Sequence, residues 1–364
     1  MNLHGNQRRS RRLLSWAWIY FLHLTGLLRW ASKSIARSSG IVVLTFHRVL
    51  HPSDLPFANS PEGMMVSSET YKGLLEYLQA HHEILPLAAN SPSWCHSSSR
   101  PRVIITFDDG WRDTSEIAQP LAREYGIPIT VFVCPGLAGK SSPFWPEQVT
   151  RAWRAASRTH EASNQFAKIC RGSLLRKSFL PISCGHASLE ELTISLKSLP
   201  ASDRDEIVQA LSRLRNADEV AGTSPAFEAT MNWEDAARLV REGAEIGSHT
   251  QHHEILPALA PEKVQCELAE SKRAIEDRLG SRCLLFAYPN GSWSPSVREQ
   301  VIAQGYSQAF VNSTGVWTAD TDPWLIPRVN LWEGSLVGIC GKFSPIVFQY
   351  IAFWRSFRAA RRVL

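Results

Sequence analysis

The chain has 364 residues, 44% of them hydrophobic, with seven cysteines and a formal net charge of +5. That is enough apolar material for one large domain with embellishments. The charge is uneven: residues 1–53 and 342–364 carry lysines and arginines and no acid, so an acidic body lies between two basic ends. This argues against a nucleic-acid binder, whose basic stripe belongs on the folded domain.

At the N-terminus, Arg8, Arg9, Arg11 and Arg12 precede an apolar stretch from Leu13 to Leu28, and Arg29, Lys33 and Arg37 follow it. The 16 residues from Leu13 to Leu28 fall short of the roughly 20 that a spanning helix needs, and no small-x-small cleavage site follows. Trp16, Trp18 and Trp30, with the flanking arginines, suit a helix lying in the headgroup layer of a membrane. The alternative is a helix packed on the protein's own body. Residues 1–40 are therefore read as a basic, apolar N-terminal helix, either a membrane-surface element or an anchor. The cysteines (95, 134, 170, 184, 266, 283 and 340) are scattered and odd in number, and no C-x-x-C occurs. They support neither a disulfide framework nor a cysteine zinc site, and a reducing compartment suits them better. The expected location is the cytoplasmic face of a membrane, with a signal-anchor facing outward as the alternative.

From Ile41 short apolar runs alternate with amphipathic helices, the signature of a parallel α/β sheet or barrel. Ile41 to Phe46 reads as a strand. Ser67 can cap a helix whose Tyr71, Leu74, Leu75 and Leu78 share one face. Ile84 to Leu87 reads as a short strand, followed by a Ser/Pro loop. Val103 to Phe107 is apolar or β-branched without alternation, as in a strand buried on both faces. It ends in Asp108, Asp109 and Gly110. Neighbouring side chains on a regular strand point to opposite faces, so two adjacent carboxylates can share a site only where the strand stops, and Gly110 supplies the turn. Thr114 to Tyr125 reads as a helix closed by Gly126, and Ile129 to Cys134 as the next strand.

Residues 140–230 break this rhythm and read as a mostly helical insertion over the mouth of the site, with helices near Glu147 to Ala156 and Arg204 to Leu214. The alternation then resumes: helix over Trp233 to Glu242, strand over Glu245 to Ser248, helix over Pro261 to Leu279 stopped by Gly280, strand over Cys283 to Ala287, helix over Pro295 to Gln304 and strand over Gln308 to Val311. His249 and His253 follow a strand and are four apart, so one helical turn would put both imidazoles in reach of one cation. Gln251 and His252 stand where a zinc-protease helix would need its glutamate, so for a metal bound here the third ligand and the base must come from elsewhere, and the two carboxylates at the end of another strand meet that need. Residues 332–364 read as a basic, amphipathic C-terminal helix paired with the N-terminus at a membrane surface.

Thr106-Phe-Asp-Asp-Gly110, Ser248-His-Thr-Gln-His-His253 and Phe286-Ala-Tyr-Pro-Asn-Gly291, in this order, resemble the three motifs of the polysaccharide deacetylase (NodB-like, carbohydrate esterase family 4) superfamily. Val43 to Val49 resembles the strand that opens many members, and the likeness spans roughly residues 41–331. The resemblance implies a distorted (β/α) barrel that hydrolyses an amide-linked acetyl group on an amino-sugar glycan, polymeric or lipid-linked. It implies Asp108 as general base and Asp109, His249 and His253 as ligands of one divalent ion. Zinc is the first choice, with cobalt, nickel or manganese as alternatives. The Tyr288 backbone N–H occupies the position the family uses for the oxyanion. Two departures stand out. The family's usual arginine is replaced by Ala287, with Arg328 as the candidate to orient Asp108. No histidine follows His253, which leaves His47 as the candidate proton donor. Asp113 is expected to be a helix cap or a supporting group, and His252 to face solvent. The competing readings are a C–N hydrolase acting on another amide, and a catalytically inactive sugar-binding protein at a membrane.

Overall fold

The computed structural model describes residues 15–87, 98–141, 144–157, 160–172, 189–197, 199–213 and 226–363. Its strands are β1 (Ile41–Phe46), β2 (Arg48–Leu50), β3 (Met65–Ser67), β4 (Glu83–Ile84), β5 (Arg102–Phe107), β6 (Thr130–Val133), β7 (Glu245–Ser248), β8 (Leu285–Ala287), β9 (Gln308–Val311) and β10 (Ile326–Asn330). β1 pairs with both β5 and β10, so β1, β10, β9, β8, β7, β6 and β5 close into a ring in which every pairing is parallel. This is the expected distorted barrel. The distortion is visible between β7 and β8, which meet only at Ser248 and Phe286. β4 adds to the first residues of β5, and β2 and β3 form a small parallel pair of their own.

Helices cover the ring. α1 spans residues 15–24. It is followed by α2 (Leu27–Arg37), α3 (Ser68–His81), α4 (Gln119–Glu124), α5 (Trp145–Ala156), α6 (His160–Gly172), α7 (Leu189–Lys197), α8 (Ala201–Ser212), α9 (Trp233–Arg241), α10 (Pro261–Leu279), α11 (Pro295–Ala303), α12 (Glu333–Leu336), α13 (Pro345–Phe348) and α14 (Arg355–Val363). Local sequence explains several ends. The Ser67 side chain accepts from Thr70 N–H and caps α3, whose Tyr71, Leu74, Leu75 and Leu78 are all buried. Gly280 ends α10 in the left-handed region at φ 67°, where a Cβ would be strained.

Two separate apolar clusters show why the barrel strands lack alternation. Ile104, Phe132, Leu285, Ala287, Phe310 and Ile326 meet inside the ring. Their chain neighbours Val103, Ile105, Val131, Phe286 and Ala309 pack outward with the helices. Each strand is thus apolar on both faces. The interior is tight: a Cβ on Gly247 would lie 2.6 Å from the Phe132 ring.

Several expectations need correction. The strand expected over Ile84 to Leu87 is only Glu83–Ile84. β10 closes the barrel but was not anticipated, because Pro327 and Arg328 interrupt its apolar run. Among its described residues the insertion holds four helices rather than two, around a core of Val149, Phe166, Leu192, Leu196, Ile207 and Leu211. The apolar stretch from Leu13 to Leu28 is broken at Thr25 and Gly26, with Gly26 at φ 76°.

Both ends dock on the barrel and on each other. α2 buries Leu28, Ala31, Ile35 and Ala36, and its Trp30 packs edge-on against Phe357 of α14 at 4.8 Å. Phe348, Ala352 and Phe353 join the main core. No helix among the described residues is long and apolar enough to cross a membrane. Trp18, Phe21 and Leu24 of α1 nevertheless remain exposed, as does Trp30.

Candidate active site

The barrel mouth gathers the chemistry. Along β5, Ile104 and Thr106 alternate with the outward residues, so Asp108 continues the inward series. β10 faces it from across the β1 strand, with Ile326 inward and Arg328 two residues on. The guanidinium meets Asp108 as a fork, Nη1 to Oδ1 and Nη2 to Oδ2, both at 2.7 Å. Nη2 also donates to Asn312 Oδ1 at 2.9 Å, and the guanidinium carbon sits 5.5 Å from the Phe132 ring centroid. Both partners are fully buried. Burial alone would raise the Asp108 pKa. The Arg328 guanidinium, aided by His249 and His47, outweighs it and holds the carboxyl below the usual carboxylate range. Ala287, inward on β8, puts no long side chain into the interior that Arg328 shares.

Asp109 behaves differently. The strand has ended, and Asp109 and Gly110 both take positive φ at 72°. A Cβ on Gly110 would crowd Val133 at 3.1 Å. The turn swings Asp109 toward the end of β7. Its Oδ2 accepts from the Trp111 indole N–H at 3.2 Å. Its Oδ1 is buried with no hydrogen-bond partner, and lies 3.5 Å from His249 Nε2 and 3.3 Å from His253 Nε2. Candidate ligand atoms of Asp109, His249 and His253 all fall within 4.8 Å of one another.

The two histidines do not converge through a helical turn, as their spacing suggested. Residues 249–253 form an irregular loop. Thr250 and His253 take positive φ at 67° and 62°, and this brings the rings together at 5.0 Å between centroids. Gly136 allows the close approach, since its N–H donates to Gln251 O at 2.9 Å and a Cβ there would collide with His252. His249 Nδ1 lies 2.7 Å from Ala287 O. The carbonyl can only accept, so Nδ1 carries the hydrogen and the Nε2 lone pair faces Asp109. Burial lowers the His249 pKa to about 4, so the ring is neutral near pH 7.

These features fit a cation: a carboxylate oxygen left without a donor, a neutral imidazole lone pair and a second imidazole. Such an orphaned buried oxygen is costly unless something pairs with it, and an imidazole held by a carbonyl at its other nitrogen is the usual support for a metal ligand.

The remaining expected residues are distributed as follows. His47, just after β1, is half-buried, its Nδ1 buried without a partner. It is near enough to Asp108 and Asp109 to help depress both carboxyls. The Tyr288 N–H donates to Phe310 O at 3.0 Å. It belongs to the strand ladder and is not free for an oxyanion, while the Tyr288 side chain points outward beside Phe286. Asp113 makes no cap. It accepts from Arg48 Nε at 2.9 Å and from Val49 N–H at 3.0 Å. His252 is exposed and held by Glu267 at 2.7 Å.

Sequence reasoning gave no role to Trp111, although it lies in the same run as the aspartates. Its indole holds Asp109, and the Arg48 guanidinium braces the ring from 4.0 Å. Arg48 is in turn fixed by Asp113, Glu228 and the Phe227 carbonyl. Asn312 was also missed. A polar residue directly after the buried strand β9 was the available signal.

A family model described as polysaccharide deacetylase matches residues 96–167 and 193–309. A Bacillus subtilis (strain 168) protein, YxkH, described as a polysaccharide deacetylase, is 24% identical over 113 residues. That match covers 31% of this chain and 40% of the relative, so the chain spans less than half of that protein's length. Among solved structures, the Streptococcus pyogenes deacetylase PplD in complex with acetate is similar at a TM-score of 0.51 and 14% identity, covering 81% of this chain and 94% of the other. IcaB from Ammonifex degensii is similar at a TM-score of 0.50 and 18% identity, covering 81% and 93%. At these identities the two structures speak for the fold alone.

Proposed function

This chain belongs to the polysaccharide deacetylase family, and from that premise we propose that it removes N-acetyl groups from an amino-sugar glycan with one divalent metal ion. The observation that carries the reading is the contrast at the strand end: Asp108 ionised and clamped by Arg328, Asp109 with one buried oxygen unpaired before two imidazoles. In this reading Asp109, His249 and His253 hold the ion, with zinc preferred for a His-His-Asp donor set and cobalt, nickel or manganese as alternatives. When bound, such an ion would polarise the acetyl carbonyl and acidify water.

The chain's own residues do the rest. Asp108 takes a proton as water adds to the amide carbon. Arg328 keeps that carboxylate charged and aimed, at the cost of making it a weaker base. Both carboxylate oxygens already accept from the guanidinium, so the proton must arrive on a remaining lone pair. As the C–N bond breaks, the nitrogen needs a proton to leave as an amine, and His47 is the donor we assign. The products are acetate and a free amino sugar. Binding alone has no use for a buried, ionised Asp108, which weighs against an inactive sugar-binding protein. Acetate release from a panel of N-acetylated glycans tests the reading. Release with wild type and not with Asp108→Asn supports it, and inactivity on every member would transfer the site to another amide.

We also propose that the two ends rest on an anionic membrane surface. Support comes from the exposed Trp18, Phe21, Leu24 and Trp30 beside helices without acids. Basic residues near such a surface contribute about 1 kcal/mol each. The full chain should float with anionic liposomes, and salt or Trp18→Ser together with Phe21→Ser should release it. Flotation indifferent to both would remove this proposal.

A further inference from the structure

The insertion also shapes a cavity of its own. It lies between α5, α8 and the loop that carries His253, and holds about 280 Å³. His253 forms one wall, so the cavity opens onto a candidate metal ligand rather than onto a remote face. The insertion supplies most of the rest, including Trp145, Gln148, Asp205 and Gln209. A volume near the lower end of the ~300–1,000 Å³ typical of small-molecule sites suits one or two sugar rings, not a long stretch of polymer.

The lining has the chemistry of a sugar site. Trp145 is half-buried and offers indole surface, on which the C–H face of a pyranose can pack. Gln148, Gln209 and Asp205 offer donors and acceptors to hydroxyl groups. Arg204 is buried, and its charge is already used: Nη2 meets Glu254 at 3.3 Å, Nε meets Asp205 at 3.4 Å, and the guanidinium sits 5.4 Å from the Trp145 ring centroid. It hydrogen-bonds Glu254 and faces the Trp145 ring, while toward the exposed Asp205 it makes an ion pair without a hydrogen bond. One arginine against two carboxylates leaves no positive surplus to attract a phosphate or a uronate. For a site that takes N-acetylated units, the ligand class this leaves is a neutral sugar.

The cavity is also tied to the candidate metal centre. Phe144, directly before α5, packs edge-on to His253 at 5.2 Å and against Trp111 at 5.0 Å, and Trp111 holds Asp109. The start of α5 is therefore anchored on the same groups that would grip the metal.

We infer that this cavity is a subsite for the sugar unit next to the one being deacetylated, in a neutral oligosaccharide of at least two units. The inference rests on the deacetylase reading of the neighbouring site and adds the substrate's length and charge to it. Occupying the subsite places the scissile amide at His253 and Asp108 by holding the adjoining ring.

The test is calorimetric binding to the full-length, zinc-loaded protein, using neutral N-acetylated tetrasaccharides of several linkages and their monosaccharides. At least one tetrasaccharide should bind more tightly than its monosaccharide. Trp145→Ala should reduce that preference about tenfold, the size of one lost aromatic contact, and Gln209→Ala should reduce it by less. Salt should leave the affinity unchanged. Both variants are checked for native melting, and the two substitutions lie on different helices, so one misfolded variant does not decide the matter. No binding by any tetrasaccharide, no preference over the monosaccharide, or a preference blind to both substitutions overturns the subsite. A steep fall with salt overturns its neutral ligand. Trp145-dependent binding without acetate release would keep the subsite and remove the deacetylase reading. Acetate release with affinities blind to both substitutions would do the reverse.

Discussion

Asp108 and Asp109 are chain neighbours with the same side chain, yet their surroundings are opposite. Asp108 directly follows β5 and keeps its ladder bond, donating its N–H to Phe46 O at 2.9 Å, and both of its side-chain oxygens are satisfied by one guanidinium fork. Asp109 has left the strand at φ 72°, with one oxygen satisfied by Trp111 and the other satisfied by nothing. A carboxylate with a full set of partners is held and charged, whereas a buried carboxylate oxygen without a donor is costly unless something pairs with it. Residue type does not separate the two aspartates here. The point at which the strand ends does.

The largest expected effect comes from breaking the satisfied side. Arg328→Ala leaves Asp108 charged, buried and alone, and removing one partner of such a pair costs about 3–5 kcal/mol. Denaturant melts should show a loss of that order, and Arg328→Lys, which cannot form the fork, should fall between it and wild type. An Arg328→Ala protein as stable as wild type would mean that the clamp contributes nothing.

A smaller effect is expected on the unsatisfied side. Trp111→Phe keeps an aromatic ring between Arg48 and Phe144 and removes the indole N–H that holds Asp109. Loss of such a supporting bond should weaken metal binding roughly 10–100-fold, with little change in the melting of the metal-free protein. Unaltered affinity would show that Asp109 is held by other means.

The smallest effect is a slope with pH. The folded pKa of His249, about 4, lies below the ~6.5 of an unfolded histidine. Between those values the unfolded chain binds a proton that the folded chain refuses. The contribution is therefore fully present above pH ~6.5 and is lost as the pH falls toward 4. Burial lowers His82 in the same sense, to about 3. Burial raises Glu147, Glu245 and Asp113 to about 8, 7 and 6, and these shift stability the opposite way over the same range. The His249 contribution is therefore read as a difference: from pH ~6.5 toward 4 the metal-free wild type should lose melting temperature relative to metal-free His249→Gln. A wild type that gains melting temperature relative to His249→Gln on acidification would contradict the sign.

The barrel was legible because each of its expected strands is a short run of apolar residues with helices on both sides of the chain. The Ser67 cap and the Gly280 stop were legible as local chemistry. β10 was hidden because one of its inward residues is Arg328, a charge whose partner lies 220 residues away. The donors of the site could be named, but not how they meet. A spacing of four suggested a helical turn, whereas positive φ at Thr250 and His253 does the work, and neither residue type announces that conformation. The Tyr288 N–H looked available until the register of β8 on β9 placed Phe310 O opposite it. Of the helices among the insertion's described residues, two were read and two were not, since its apolar positions serve a separate core.

The division of labour between the two aspartates is tested most directly by titrating zinc into Asp108→Asn and Asp109→Asn while measuring acetate release from the same samples. Asp108→Asn should bind zinc with near wild-type affinity and lose turnover by about 10²–10⁴-fold, the contribution of a general base. Asp109→Asn should lose zinc and turnover together. Zinc lost from Asp108→Asn and retained by Asp109→Asn would reverse the assignment, and full activity in either variant would contradict it.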